Sequence, residues 1–549
     1  MGGGLLNLIA YGNQNIILNG NPTKTMFSCV YAKYTNFGLQ KFQITHDGNH
    51  ILKRNESTTY NFKVPRNGDL LMDTYLVVTL PDIWSPIHPP SGTAGTGVNG
   101  GKWRAYEFKW IKNLGTQMIK KVKIIVGGQT LQEFSGQYLH NMVERDFNES
   151  KKNVFYNMTG HVTELNDPKN GKLSVANKYP SAYNLSGAAD PDPSITGRKI
   201  YIPLNTWFSL SSKMAFPLTS MQYNELHIQV EIRPYKELFV VKNVNTTNDD
   251  DYEQYIQPTD NALFDFKRFL YVPVQPTQVA ANNTEWELNY SDAQYSNDKW
   301  GNGDIHLIST YAFLSEEEVR QFALNEQKYL IKQVYEHNNI SDAFSGYKKL
   351  ELKSSGMVAN WMWYLQRDDV NERNEWSNYT NWKYADTIPV NTITDIAANV
   401  TTIAYNGAVH NPSTHPVGGV LNTGYEIMNT SSNANKKNIM VNMGILLNGK
   451  VRENTLDAGI YNYIEKYFKS KGNSQDGLYS YTFSLTTDPY DCQPSGAINL
   501  SKINKIEFEL NTITPPTGET YEYKLHVFEE RYNILHFISG NAGLTYHFG

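Results

Sequence analysis

The stretch Ile124-Ile125-Val126-Gly127-Gly128-Gln129 is a short apolar run that ends in two glycines. It has the pattern of a β-strand that runs into a tight turn. The second half of the chain contains the same pattern at Ile445-Leu446-Leu447-Asn448-Gly449-Lys450. The two stretches therefore indicate that a β-hairpin occurs once in each half.

Further matches follow these two stretches in the same order. Phe208-Ser209-Leu210 corresponds to Phe483-Ser484-Leu485, and a proline follows each of them. Strand patterns come next at 227–232 and 505–510, and each half closes with a strand that runs into an acidic, helix-like start, at 311–317 and 525–530. Because these matching segments occur in the same order in both halves, they predict two copies of an all-β domain that carry different insertions.

Composition supports this interpretation. The chain has 549 residues, which favours two or three domains, and 13% of them are aromatic, which favours strands. The one clear helix signal is Ser315 followed by three glutamates, a capping box. Asn67-Gly68 is interpreted as a tight turn. The predicted strands are 73–80, 121–126, 226–233, 305–313, 438–447, 479–485, 505–510 and 521–528.

Long polar stretches interrupt the strands at 81–101, 166–197, 234–304 and 366–436. Compact domains rarely contain structureless loops this long, so we interpret them as surface insertions. Asn-x-Ser/Thr sequences such as those at Asn245 and Asn378 cluster in these stretches, which indicates polar, exposed loops.

Charge and terminal sequences limit the possible partners. The net charge is −5 and neither terminus carries a basic arm, so direct binding to nucleic acid is not expected. The first residues do not have the pattern of a signal peptide, and no apolar run is long enough to span a membrane. The two cysteines, Cys29 and Cys492, provide neither a disulfide framework nor a zinc pattern.

Candidate catalytic and ligand-binding motifs fail when their context is considered. Residues 95–100 match G-x-G-x-x-G, but they lie in a Pro/Gly-rich loop without a strand–helix unit around them. His46 and His50 could be metal ligands on a helix, but Asp47-Gly48-Asn49 between them is a turn sequence, so two exposed loop histidines are expected. We therefore predict no catalytic, cofactor-binding or metal-binding residues, and no enzymatic activity.

Several short segments are specific enough to indicate a family. The most specific is YAKYTNF at 31–37, after LNGNP at 18–22. Others are GGLLNLIAYG at 3–12, RNGDL at 66–70, YIPL at 201–204, residues 218–226 and RYNIL at 531–535. Together these segments resemble the major capsid proteins of the nucleocytoplasmic large DNA viruses, which include chlorella viruses, iridoviruses and mimivirus-like viruses. The resemblance covers roughly half of the chain.

The resemblance implies two consecutive eight-stranded jelly-roll β-sandwiches, with long loop insertions and few short helices. We expect an inward-facing N-terminal segment at 1–26, a first jelly roll at 27–322 and a second at 323–549. It further implies a homotrimer with a pseudo-hexagonal outline, packed with neighbouring capsomers and minor capsid proteins in an icosahedral virion shell over an internal membrane.

Two other classes of function stay open from the residues alone. An aromatic-rich β-sandwich could be a carbohydrate-binding protein or a glycosidase, since paired carboxylates cannot be recognised from sequence. A minor capsid or spike protein of the same fold is the second alternative. Assembly in the host cytoplasm would suit the scarcity of cysteine.

Overall fold

A computed structural model of the chain describes most of its residues. The described ranges are 4–5, 13, 16–48, 50–88, 104–171, 178–182, 192–244, 254–258, 266–270, 305–337, 340–387, 391–392, 403–405, 408–410, 426–427, 433, 436–473, 475–516 and 519–546.

The first half of the chain forms a β-sandwich of eight main strands. Inward-facing apolar side chains alternate with outward-facing polar ones, as in Leu226–Ile232, where every second residue is buried. The strands are β1 Gly38–Ile44, β2 Thr58–Lys63, β3 Leu70–Thr79, β4 Ile119–Val126, β5 Gln129–Phe134, β6 Lys199–Pro203, β7 Leu226–Ile232 and β8 Ile305–Phe313.

The strand order identifies this sandwich as a jelly roll. One sheet has the order β1–β8–β3, and β3 pairs on its far side with β6 and with the short strand Phe216–Pro217. The facing sheet has the order β2–β7–β4–β5. Successive strands alternate between the two sheets except for β4 and β5, which form a hairpin within one sheet. This is the topology of a jelly roll, and every pairing is antiparallel.

The second half repeats this arrangement strand for strand. Its sheets have the orders β9–β16–β11–β14 and β10–β15–β12–β13, and Ile498–Asn499 pairs with β11 as Phe216–Pro217 pairs with β3. The strands are β9 Gln327–His337, β10 Tyr347–Leu352, β11 Met357–Arg367, β12 Met440–Leu447, β13 Lys450–Asp457, β14 Leu478–Thr482, β15 Ile506–Thr512 and β16 Tyr523–Ile538.

The stretches at 124–129 and 445–450 form matching β-hairpins. Gly127 and Gly128 have φ angles of 56° and 84°, and Asn448 and Gly449 have φ angles of 51° and 75°. Two successive positive φ angles are typical of the type I′ turn, which fits the twist of a two-residue hairpin. The duplication that these stretches predicted is confirmed, as is the all-β double jelly-roll fold.

Short elements surround the two sandwiches. The three longest helices are α1 Gly136–Asp146, α2 Glu149–Thr159 and α3 Glu316–Leu324. The shorter helices are Ile16–Asn19, Leu114–Met118, Thr163–Asn166, Trp207–Leu210 and Glu465–Lys469, with 3-10 turns at Pro168–Asn170, Ser212–Met214, Leu218–Ser220, Tyr235–Glu237, Phe266–Leu270, Val370–Glu372 and Leu500–Lys502 and a π-helical turn at Ile460–Ile464. The remaining short strands are Ile87–His88, Arg104–Ala105, Lys109–Trp110, Phe239–Lys242, Tyr255–Ile256, Asn391–Thr392, Ile403–Tyr405, Ala408–His410, Glu426–Ile427 and Asn541–Leu544.

Helix α3 begins at Glu316, as the sequence predicted. Ser315 is the N-cap residue, but its hydroxyl lies 3.4 Å from the Glu318 carboxylate and makes no capping bond to the backbone. Asn67-Gly68 forms a bend that leads from β2 in one sheet to β3 in the other, so the predicted turn is not a hairpin. Within the described ranges, no helix is long and apolar enough to cross a membrane.

Two sequence-based expectations are wrong, and two helices were missed. The second half does not end in a helical start, because β16 continues through Glu529 and Glu530 to Ile538 while pairing with β9. Helices α1 and α2 were not predicted. The described parts of the long polar stretches are not all exposed: Phe239–Lys242 is a buried strand, and Asn378 is only 4% exposed.

Candidate functional site at the contact between the two jelly rolls

The two histidines considered as metal ligands lie in a bend after β1. The ring of His46 packs on Tyr60 with 4.9 Å between the centroids, and the ring of His50 lies 5.8 Å from the same tyrosine. Both histidines are half-buried, so the expected full exposure is wrong. In the described part of the chain, no three His, Cys, Asp or Glu side chains are grouped so that they could hold a metal ion.

The other candidate motifs do not form a site in the described residues. The G-x-G-x-x-G sequence at 95–100 lies outside those residues. Cys29 and Cys492 are both free thiols, one exposed and the other half-buried. The sulfur of Cys492 lies 3.5 Å from the Ser211 hydroxyl, which is not a general base.

A heavily buried polar cluster lies between the two sandwiches, around helix α1. All eleven residues of α1 are buried, although the helix follows directly after β5 in the first jelly roll. The Ser135 hydroxyl caps the helix by accepting a bond from the Tyr138 amide at 3.2 Å, and the Ser135 amide donates to Glu336 of β9 at 2.7 Å. At Gly136 a Cβ would lie 1.9 Å from the Thr116 carbonyl oxygen, so only glycine allows this close approach.

Arg145 is the centre of the cluster and is 1% exposed. Its guanidinium donates to both oxygens of Asp146 at 2.9 and 2.7 Å. It also donates to Glu530 of β16 at 2.7 Å and to the Asn360 amide oxygen of β11 at 2.8 Å. The Arg145 side chain therefore joins the first jelly roll to two strands of the second.

The two carboxylates in this cluster are also hydrogen-bonded to other groups. Glu530 accepts from the Asn360 amide and from the Tyr138 hydroxyl, both at 2.8 Å, and Asp146 accepts from the Thr487 hydroxyl at 2.6 Å. Buried charges are tolerated only when they are paired and hydrogen-bonded in this way.

The pKa values reflect competition between burial and pairing. Burial alone would raise the pKa of Glu530, but the Arg145 charge, Lys332 and the hydrogen bonds outweigh burial and lower it. At Asp146 burial wins and the pKa is raised, in spite of the same guanidinium. The pKa of Arg145 is raised: burial opposes its charge, but the two carboxylates favour it more strongly. One cation thus pairs with two carboxylates, and burial outweighs this pairing at Asp146 but not at Glu530.

A second polar group lies along the same helix. Lys152 of α2 donates to Glu144 at 3.0 Å, and the Tyr156 hydroxyl donates to the same carboxylate. His140 lies 3.1 Å from the Gln475 amide oxygen in the second jelly roll. Burial lowers the pKa of His140, so the imidazole is neutral at neutral pH.

Aromatic side chains complete the contact. Tyr138 lies against Phe528 of β16 with 5.7 Å between the ring centroids. Phe216 of the first jelly roll meets Phe537 edge to face at 5.1 Å. Tyr364 and Tyr379 stack at 4.1 Å, and the Tyr379 hydroxyl donates to Asn141 of α1 at 2.6 Å. The apolar core of the first sandwich continues through these residues into the second half.

This cluster forms a structural joint between the two jelly rolls. Its carboxylates are already bound to Arg145 and to neutral donors, and none of its groups is a nucleophile next to a free base. The arrangement holds the two jelly rolls in one relative orientation. The sequence analysis did not predict this cluster, because its members lie hundreds of residues apart in the sequence. The one local signal was the charged run Glu529-Glu530-Arg531 inside an apolar strand pattern.

Solved structures with the same fold are virus shell proteins. A quasi-atomic model of the PBCV-1 virus capsid matches with a TM-score of 0.56 at 17% identity, over 95% of this chain and all of the other. The Faustovirus major capsid protein matches with a TM-score of 0.58 at 14% identity, over 93% of this chain and 92% of the other. The fold is therefore that of the double jelly-roll capsid proteins.

Sequence comparisons agree with the fold. Residues 25–269 match the family described as major capsid protein N-terminus, and residues 318–543 match large eukaryotic DNA virus major capsid protein. The major capsid protein of Chrysochromulina ericina virus is 24% identical, and that of Paramecium bursaria Chlorella virus 1 is 23% identical, each over the full length of both chains. The chain belongs to the major capsid protein family of the nucleocytoplasmic large DNA viruses, and its role is structural, in the capsid of the virion. The carbohydrate-binding or glycosidase alternative finds no support in these relatives.

Proposed function

We propose that three copies of this chain form a closed, pseudo-hexagonal capsomer that tiles an icosahedral shell. The observation that carries this proposal is the pair of duplicate jelly rolls fixed to each other by the buried Arg145 cluster. Two similar rigid units in each chain give six similar units in a trimer. A ring of three chains then has an almost sixfold outline and can pack in a hexagonal layer.

The proposal includes a division of the chain into three parts. The first jelly roll spans 27–322 and the second spans 323–549, while the N-terminal segment at 1–26 faces inward. Support for the last point comes from the apolar side chains that are exposed there, with Ile17 at 88% and Leu18 at 87%. Such side chains are available to dock on minor capsid proteins at the inner side of the shell. We also expect Leu5, Leu6, Leu8 and Ile9 to dock on these partners. Leu5 is 63% exposed, and the other three lie outside the described residues.

The remaining parts of the proposal concern partners and chemistry. The protein acts without a cofactor, is not an enzyme and does not contact the genome directly. Its net charge of −5 supports the last point, because binding to phosphates needs clustered cations. Capsomers assemble in the host cytoplasm over an internal membrane.

The mass of the purified protein in solution tests the proposal. Each chain has a mass of 62.5 kDa, so a closed trimer has a mass of roughly 190 kDa. Multi-angle light scattering is expected to give this mass over a wide range of concentrations. A species of one chain at every concentration, and no trimer in purified particles, would contradict it.

A further inference from the structure

A helix follows the β4–β5 hairpin in the first jelly roll and the β12–β13 hairpin in the second, but the two helices have different surroundings. In the first half, α1 begins just after β5 and is buried by the second sandwich. In the second half, a helical segment at 458–469 begins just after β13, which ends at Asp457. Tyr461, Asn462 and Lys466 attach this segment to its own sandwich, whereas its opposite face is exposed.

The exposed positions of the second helix match the contact positions of the first. We count residues from the first helical residue, Gly136 in one case and Ala458 in the other. In α1, the sixth, seventh, tenth and eleventh residues are 0–3% exposed and lie against the second sandwich: Asn141, Met142, Arg145 and Asp146. In the second helix the same positions are 49%, 49%, 82% and 75% exposed: Tyr463, Ile464, Tyr467 and Phe468.

These four exposed side chains, which we name the aromatic face, have the composition of a protein contact. Tyr467 and Phe468 meet edge to face with 5.1 Å between their ring centroids. Large apolar side chains grouped on a protein surface mark an interaction site, and aromatic residues are enriched at the centres of such sites. The aromatic face therefore needs a partner.

The surface that would receive it can be located in the same way. In the second sandwich, α1 lies on the outer side of β11 and β16, at Asn360, Phe528 and Glu530. In the first sandwich, β3 and β8 occupy the equivalent positions. The core-facing pairs Leu76–Leu307 and Trp363–Val527 align the two sheets.

With this alignment, Asp73 of β3 corresponds to Asn360, and Ile308 of β8 corresponds to Phe528. Asp73 is exposed and Ile308 is half-buried, whereas Asn360 and Phe528 are buried. Nearby on the same outer side, Tyr201 is 37% exposed. The first sandwich thus leaves Asp73 and Ile308 more accessible than their counterparts in the second, whereas Thr310, the counterpart of Glu530, is 5% exposed.

We propose that the aromatic face of each copy packs on the outer surface of β3 and β8 in the neighbouring copy. This inference rests on the proposed trimer and names its contact. The contact between chains would then repeat the contact within the chain, with aromatic side chains in place of the Arg145 cluster. A head-to-tail contact of this kind forms a ring when its rotation closes. Tyr467 corresponds to Arg145, so it would lie beside Asp73 of the neighbouring copy.

Charge placed on the aromatic face tests the proposal. In Tyr467→Glu/Phe468→Glu, the mutated side chains are exposed in the single chain, so circular dichroism is expected to show an unchanged fold. The concentration at which half of the trimer dissociates is expected to rise by about 100-fold or more, because central aromatic contacts dominate such interfaces. The matched control is Tyr347→Glu, an aromatic residue of β10 that is 67% exposed and lies away from the aromatic face.

The outcomes separate this inference from the proposed trimer. A wild-type protein that is monomeric at all concentrations contradicts the trimer itself. A trimeric wild type with an equally stable double variant contradicts only the proposed contact. Loss of the trimer in the double variant, with the control still trimeric, supports both.

Chemical cross-linking gives a result that does not depend on the fold of a charged variant. Tyr467→Cys/Asp73→Cys, in a chain that also carries Cys29→Ser, is treated with a short bismaleimide. Covalent species of two and three chains are expected. The pair Tyr347→Cys/Asp73→Cys is expected to stay at one chain. Equal cross-linking of the two pairs, or none of the Tyr467→Cys pair in a trimeric sample, would overturn the proposal.

Discussion

Arg145→Met is expected to weaken the joint between the jelly rolls more than any exposed charge change. Methionine fills a similar volume but removes the cation that pairs with Asp146 and Glu530, which are 3% exposed. Both carboxylates then stay buried but lose their hydrogen-bonded countercharge. Breaking a buried pair in this way costs about 3–5 kcal/mol of the free energy of unfolding.

The contacts of Arg145 support the upper part of this range. Its guanidinium makes four hydrogen bonds of 2.7–2.9 Å, and two of them reach the second jelly roll. The triple variant Arg145→Met/Asp146→Asn/Glu530→Gln is expected to recover part of the loss, because it removes the uncompensated charges. The matched control is Lys53→Ala, which breaks the exposed pair of Lys53 with Glu56 and is expected to change nothing measurable.

The assay is urea unfolding of the purified protein, followed by circular dichroism and by tryptophan fluorescence. The single variant is expected to unfold at a lower urea concentration, with the triple variant between it and the wild type. A single variant as stable as the wild type would refute the conclusion that this cluster fixes the two jelly rolls together.

Four further predictions follow from individual sites. Burial lowers the pKa of Lys466 to about 7 in the folded chain. Above that pH the unfolded chain binds more protons than the folded chain, so the wild type is expected to gain thermal stability from pH 7 to 9 relative to Lys466→Met. Burial also lowers the pKa of His526 to about 4 in the folded chain. The wild type is therefore expected to lose stability as the pH falls from about 6.5 to 4, and His526→Phe is expected to lose less over the same range. Gly136→Ala is expected to cost about 1–3 kcal/mol in urea unfolding, because a Cβ there meets backbone. We expect the two longest polar insertions, 234–304 and 366–436, to face outward, so limited proteolysis of intact particles is expected to cut first within them and to spare residues 1–20. Early loss of residues 1–20 in mass spectrometry, with both insertions protected, would show that the subunit is inverted.

Local sequence patterns predicted eight of the sixteen main strands and the two hairpin turns, but not the joint. The hairpins at Gly127-Gly128 and Asn448-Gly449 were recognisable because turn chemistry depends on neighbouring residues. Helix α1 was missed because polar residues such as Arg145 and Asp146 normally indicate an exposed segment. Their burial depends on Glu530, which lies 385 residues away from Arg145 in the sequence.

The same limitation explains the error at the end of the second half. Glu529 and Glu530 have the pattern of an acidic helix start, but both are buried in a strand. Glu529 accepts a hydrogen bond from the Trp361 indole at 2.8 Å and pairs with Arg531, and Glu530 pairs with Arg145. Tertiary partners therefore decide whether such a charged run forms a strand or a helix, and no local pattern contains that information.

Electron microscopy of the purified protein can show whether three of these chains form one pseudo-hexagonal capsomer from six similar jelly rolls. We expect threefold particles with a hexagonal outline, in which helix 458–469 of each chain meets the first jelly roll of the next. Single chains, or closed particles with a different number of subunits, would contradict this arrangement.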